Sequence, residues 1–476
     1  MTARSPPLWC WSTVASEARI ASFLSTARLF SFWDSLRTSF WFLPSAMAAS
    51  AVALSFVLLK VDTWLGAETV RDLGWLYTFG PEGARAVLSA IASSMITVAG
   101  LTFSITMLTL QLASSQFGPR LLRNFMRDRG NQIVLGTFIA TFVYCLLVLR
   151  TVRGTEGSSF VPHLAVAFGV LLALASIGVL IYFIHHIATS IRIETLLASL
   201  AAETHAAVDR LYPERLGRDP PPDATSAEGL VPSGFERDAR TMRADASGYV
   251  QRVDLDTLLR LATEHDLLVR IAARPGRFVT EHDELYYAHP AERVSATIAE
   301  QLRGAFVIGQ ERTPEQDLQF STRRIVEIAQ RALSPGINDP TTALYCIDRL
   351  GETLGRLAER DIPSPLRFDE SGGLRVITDV ISLENLACPA FAAIARYGLE
   401  DADVIARLLG AMDALSQTAR PEARRAIVDL SEAIRRDSQS KAALQFDRQT
   451  IGAAAAAGSR LKSIDVAQSK SRFVEP

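Results

Sequence analysis

Residues 87–113 read VLSAIASSMITVAGLTFSITMLTLQLA, with no Asp, Glu, Lys, Arg or His among them. A hydrocarbon layer of about 30 Å is crossed by about 20 helical residues, so this run is long enough to span it. Three more uncharged runs lie on either side of it: Phe40 to Leu59, Ile133 to Leu149 and Val161 to Ile184. Ile133 to Leu149 is the shortest, and Asn131 and Gln132 extend it at headgroup level. The four predict a transmembrane helical domain over 40–190. The first begins some forty residues into the chain with no small-residue cleavage pattern after it, so it is expected to remain as a span rather than be removed as a signal.

Composition points the same way. Hydrophobic residues make up 49% of the 476 positions and charged ones 21%, and the mean hydropathy is +0.17, high for a water-soluble chain of this size. The net charge of −2 offers no overall basic surface to hold a phosphate backbone, so nucleic acid is not expected as a partner. Cys10, Cys145, Cys346 and Cys388 form no CxxC pair. They imply neither a disulfide framework nor a zinc site, and suit a reducing compartment.

Arginine and lysine are retained on the cytoplasmic side of short loops. Arg4, Arg19, Arg28 and Arg37 precede the first run, and Arg120, Arg123, Arg127 and Arg129 lie between the second and third. Lys60, Arg71, Arg85, Arg150 and Arg153 fall on the other side. This bias predicts both termini in the cytoplasm. Val14 to Arg37, within a 1–39 N-terminal segment, interleaves Phe23, Leu24, Phe30, Phe32 and Trp33 with serine and arginine, and reads as an interfacial helix. Pro119 to Arg129 reads either as a second such helix on anionic lipid or as a solvated turn.

The second run is polar for a helix in lipid. At about 100° per residue, Ser89, Ser93, Thr97, Gly100, Ser104, Gln111 and Ser115 fall in one stripe roughly 80° wide, with Thr102, Thr106 and Thr109 opposite. Small and hydroxyl residues of this kind pack helices together, and they also line water-filled paths. Ser93, Thr97, Gly100, Ser104 and Gln111 are therefore the candidate stripe for a pore or for helix packing. No ionisable residue lies in the interior of any run, which disfavours a proton- or sodium-coupled carrier. His185 and His186 sit at the end of the fourth run, where an interfacial role is expected.

Beyond the runs, Ile191 to Leu211 carries Leu196, Leu197, Leu200 and Val208 at helical spacing and is expected to continue the fourth span. Pro213 and Pro220 to Pro222 end it, and 212–245 reads as a linker, so that 191–245 is a helical extension plus linker. Over 246–310, Gly248 to Val250, Leu267 to Ile271 and Arg277 to Val279 predict short strands around a helix from Leu255 to Thr263. This arrangement resembles the barrel-sandwich modules of biotinyl and lipoyl carriers, although no lysine between residues 61 and 440 could carry either group. Glu281 to Glu284 reads as a solvated turn rather than a metal site. The 311–440 region reads as a helical domain, and 441–476 as a disordered tail.

Within the helical region, Ser334, Pro335, Asn338, Asp339, Pro340, Thr341 and Thr342 break one helix and start the next. Asp339 is placed to cap it and Pro340 to open its first turn. Such a corner can hold an anion or serve as a turn between packed helices, and Asp339 would itself fill the positive helix end.

The segments 103–106 (FSIT), 111–125 (QLASSQFGPRLLRNF) and 332–343 (ALSPGINDPTTA) together resemble a family of predicted bacterial membrane proteins, domain of unknown function 2254. The resemblance spans roughly residues 35 to 435. It implies a bacterial inner-membrane location and brings no site residues with it. No GxGxxG, Walker A, HExxH or GxSxG pattern occurs, so an enzyme is not expected, and neither a cofactor nor a metal is called for. Two functions fit: an oligomeric conduit for ions or small solutes lined by the second span and controlled by the cytoplasmic region, or a membrane-anchored sensor or scaffold binding a cytoplasmic protein partner. A homo-oligomer in the bilayer suits both, because four spans cannot easily bury two polar faces of one helix.

Overall fold

The computed structural model describes residues 41–71, 80–117, 128–155, 158–190, 192–212, 231–442 and 444–453. The N-terminal segment 1–39, nearly all of the Pro119 to Arg129 stretch, positions 213–230 of the linker and the tail from 454 lie outside them. The chain divides after Arg192 into two units.

Among its described residues the first unit holds four helices long and apolar enough to cross a membrane: α1 (Phe42–Arg71), α2 (Pro81–Phe117), α3 (Arg129–Leu149) and α4 (His163–Ser190). A short antiparallel hairpin, β1 (Arg153–Thr155) and β2 (Ser158–Phe160), joins the last two. Half of α3's apolar window is buried within the chain (50%), against 17% for α1, 28% for α2 and 22% for α4, so α3 is the hub. It packs on each of the other three. Small residues allow the approach: a Cβ at Gly136 would stand 2.6 Å from Met47 Sδ and 3.2 Å from Pro44 Cα. Thr141 and Ser176 hydroxyls meet 3.2 Å apart between α3 and α4. Leu88, Ala92, Tyr144, Cys145, Val148 and Ala165 fill one core cluster, and Met95, Val134, Phe138 and Phe183 a second.

The second unit begins with α5 (Ile193–Leu211). It does not continue the fourth span, since α4 stops at Ser190 and Arg192 is not helical. Its apolar face, Leu196, Leu197, Leu200, Ala201 and Val208, is buried against α9 (Leu318–Ala332) and α10 (Pro340–Ala358). Arg356 and Arg360 both grip Asp209, at 2.6 and 2.7 Å, and hold its carboxyl below the usual range. α11 (Leu383–Gly398), α12 (Ala402–Thr418) and α13 (Pro421–Lys441) follow, and residues 445–453 are helical as well, so the disordered tail expected from 441 does not hold over them.

The β part is α6 (Phe235–Asp238), β3 (Arg240–Arg243), β4 (Gly248–Val253), α7 (Leu255–Glu264), β5 (Leu268–Ile271), β6 (Phe278–Val279), β7 (Glu284–His289), α8 (Ala296–Arg303) and β8 (Phe306–Gly309). A hairpin from far along the chain, β9 (Leu366–Phe368) and β10 (Leu374–Ile377), joins it. The strands form an open five-stranded sheet, β3-β7-β5-β10-β9, and a three-stranded one, β6-β4-β8.

Three expectations are corrected here. Among the described residues no sheet closes into a barrel, so the barrel-sandwich likeness fails: β5 pairs with β7 on one side and with the distant β10 on the other, leaving no edge for β4 or β6. The 311–440 region is not wholly helical, because β9 and β10 lie in it and Val376 is buried in the same core as Val269 and Tyr286. The 212–245 linker contains β3, which pairs with β7 from Arg240 to Arg243.

Candidate functional site

The burial of α2 distinguishes its two polar faces. Thr102 and Thr106 are 2% and 5% exposed and lie within the chain's own bundle. Ser93, Thr97, Gly100, Ser104 and Gln111 are all exposed, on the side away from it. A Cβ at Gly100 would meet nothing within 4 Å, so this glycine serves no close approach inside the chain. Leu101 and Leu108, 59% and 66% exposed, border the stripe and suit lipid.

The hydroxyls of the stripe are matched locally. Thr97 donates to the Ser93 carbonyl at 2.8 Å and Ser104 to the Gly100 carbonyl at 2.9 Å, the four-residue back-bond open to Ser and Thr in a helix. Their protons are satisfied without a neighbour, while their oxygens still offer lone pairs outward. The Gln111 amide has no partner among the described residues. An unpaired amide in hydrocarbon costs several kcal/mol, and Gln111 lies two residues from the end of the 87–113 run. Within α2 only Glu82 and Arg85 carry charge, both in its first turns, and Arg85 donates to the Val152 carbonyl at 2.9 Å.

Reading the sequence missed a polar tie at one end of the bundle. Asp62, 8% exposed, accepts the backbone N–H groups of Leu164 and Ala165 at 3.0 and 2.9 Å. It caps α4 from a different helix. The available signal was that α4 starts after Val161 and Pro162, neither of which has a side chain able to cap it. The apolar run of the first span ends at Leu59, while the helix itself continues to Arg71 and carries Asp62 on it.

His186 has a defined contact. Its Nε2 lies 2.6 Å from Asp128 Oδ2, while Asp128 Oδ1 caps α3 by accepting Gly130 N–H at 2.8 Å. Tyr182 stacks on the imidazole with ring centres 5.3 Å apart. Gly130 is needed because a Cβ there would come within 2.7 Å of His186 Nε2.

The corner residues belong to the second unit. Asp339 caps α10: Oδ1 accepts Thr342 N–H at 3.1 Å and Oδ2 accepts the Thr342 hydroxyl at 2.6 Å. Pro340 occupies the first turn, Asn338 turns the chain at φ +49°, and Ser334 donates to the Arg331 carbonyl at 2.6 Å. Pro335 sits in the turn ahead of them, and Thr341 in the first turn of α10. Both Asp339 oxygens are engaged, so the positive helix end is already filled by the chain. In the Glu281 to Glu284 turn, Asp283 Oδ2 likewise accepts Thr280 N–H at 2.7 Å.

Comparison with known proteins agrees with the helical membrane unit. An uncharacterised protein of Mycobacterium bovis and one of Mycobacterium tuberculosis are each 35% identical to this chain over 432 residues, covering 89% of it and 81% of their own length. No solved structure matches. The family model for predicted membrane proteins of domain of unknown function 2254 matches residues 37–414, which takes in all four spans and nearly all of the second unit's described core; the chain belongs to that family.

Proposed function

We propose that the chain assembles as a homo-oligomer in the bacterial inner membrane, both termini cytoplasmic, and forms a conduit for ions or small solutes. The face of α2 bearing Ser93, Thr97, Gly100, Ser104 and Gln111 lines it, and the second unit controls it. One observation carries this reading: a single chain buries the Thr102 and Thr106 face and leaves the stripe exposed. Another copy is the simplest cover, since symmetry brings the same face to a shared axis. Lone pairs without fixed charge give such a wall weak selectivity between ions.

The test is flux through liposomes holding the purified protein. Ser104→Leu places an isobutyl group on the wall and is expected to reduce flux at least tenfold while the oligomer still forms. Equal flux in variant and parent contradicts the reading.

A second reading, a scaffold that binds a protein through the second unit, draws on Ile337 and Tyr345, both exposed beside the Asp339 corner. It requires that the parent protein conduct nothing.

A further inference from the structure

The second unit contains a partly enclosed cavity of about 120 Å³. It lies where the only parallel pair of its five-stranded sheet ends: Ile271 closes β5, while Thr378, Asp379 and Val380 follow β10. Its apolar walls include Val253, Leu255, Ile271, Pro363 and Val380.

The charges around it do not balance. Arg274 is met by Asp379 at 3.2 Å and by Gln319 at 3.3 Å. Gln316 spends its amide on the Val253 backbone, accepting N–H at 2.9 Å and donating to the carbonyl at 3.2 Å. Tyr212 donates to the Ile381 carbonyl at 2.7 Å. Arg367, half-buried on β9, has no carboxylate: its Nη1 donates to the carbonyls of Ser364 and Leu366, and Nε and Nη2 have no partner among the described residues. Burial alone pushes its guanidinium below the ordinary value. On the paired strand, by contrast, Arg375 is held by both Asp369 and Asp266, each at 2.6 Å.

A half-buried guanidinium with free donors, on an apolar cavity, is a one-anion site. We propose that this cavity binds a small organic monocarboxylate, its carboxylate on Arg367 and its hydrocarbon body against Leu255, Ile271 and Val380. The space equals about four waters at ~30 Å³ each, and a methylene takes nearly as much room as a water, so it admits a body of about four carbons. With Asp379 neutralising Arg274, one positive charge remains, enough for a carboxylate and too little for a phosphate dianion.

The experiment is calorimetric titration of the full chain in detergent with butanoate, pentanoate and inorganic phosphate, each at low chloride. At least one carboxylate is expected to bind one-to-one and more tightly than phosphate. Arg367→Gln should weaken it at least tenfold, and Arg323→Gln, a control on an exposed and already paired arginine, should leave it unchanged. Val380→Phe, which fills the space and keeps the arginine, should also abolish binding, so that a misfolded Arg367 variant does not leave the question open. The proposal is overturned if neither carboxylate binds, if phosphate binds more tightly, or if binding survives both Arg367→Gln and Val380→Phe.

Discussion

Asp62→Ala is expected to destabilise the membrane unit by about 3 kcal/mol, seen as a lower thermal midpoint in detergent at a fixed scan rate. The carboxylate accepts two backbone donors of α4, Leu164 N–H and Ala165 N–H, at a buried position. Alanine would leave both donors without their acceptor at a largely buried position, and each such loss costs about 1–3 kcal/mol. The same change also removes a negative charge from the positive end of a helix. Asp62→Asn keeps one acceptor and is expected to lose roughly half as much. An Asp62→Ala protein with the parent's midpoint would show that the contact between α1 and α4 does not hold the bundle together.

Gly276→Ala is expected to cost about 4 kcal/mol or to prevent the second unit from folding. Gly276 sits at φ +87°, where an L side chain costs about 1–2 kcal/mol. A Cβ there would also overlap the carboxylate of Asp317 and stand 3.0 Å from Arg312 Nη2. That carboxylate cannot retreat: it is 2% exposed, pairs with Arg312 and caps α9 by accepting Phe320 N–H at 3.0 Å. Burial raises its pKa even against the pull of Arg312, so loss of that partner leaves a charge without compensation. Gly372 separates the two causes, since it lies at φ +84° with nothing within 4 Å of its absent Cβ. Gly372→Ala should cost only the conformational part, about 1–2 kcal/mol. Equal costs for the two variants, measured by urea unfolding, would remove the Asp317 contact from the explanation.

Much of the first unit was legible because lipid imposes a simple rule: a spanning helix is a long run without charge, and four such runs stand out along the chain. The polar stripe of α2 was legible in the same way, from a 100° rotation per residue. Which of its two faces the chain covers was not, because that depends on where α3 docks, and nothing in residues 87–113 encodes the position of Phe138 or Val134. Asp62 escaped for a related reason. Its role is set by a helix that begins about a hundred residues later, while local reading stopped with the apolar run at Leu59.

In the second unit, β5 and the helix after β4 were legible from local pattern, and Asp339 from the short distance between a capping carboxylate and Pro340. β9 and β10 were not. Leu366-Arg367-Phe368 and Leu374-Arg375-Val376-Ile377 are short, interrupted by arginine and separated by a polar turn; β10 becomes a strand by pairing with β5, about a hundred residues earlier, and β9 by pairing with β10. That pairing also built the cavity around Arg367, so the sequence offered no cue to it. Tertiary pairing decides such weak segments, where local propensity is small.

The central claim is that the stripe on α2 faces water inside an assembly. Its direct test is thiol accessibility in a conducting preparation, using Cys10→Ser and Cys388→Ser to lower the background, with Cys145 and Cys346 already buried. Ser104→Cys and Leu101→Cys lie about one turn apart at similar depth, one on the stripe and one beside it. A charged, membrane-impermeant thiol reagent is expected to modify Ser104→Cys and reduce flux severalfold, and to leave Leu101→Cys unreacted. Ser104→Cys that conducts and remains as unreactive as Leu101→Cys would contradict the conduit and assign the stripe to packing between helices.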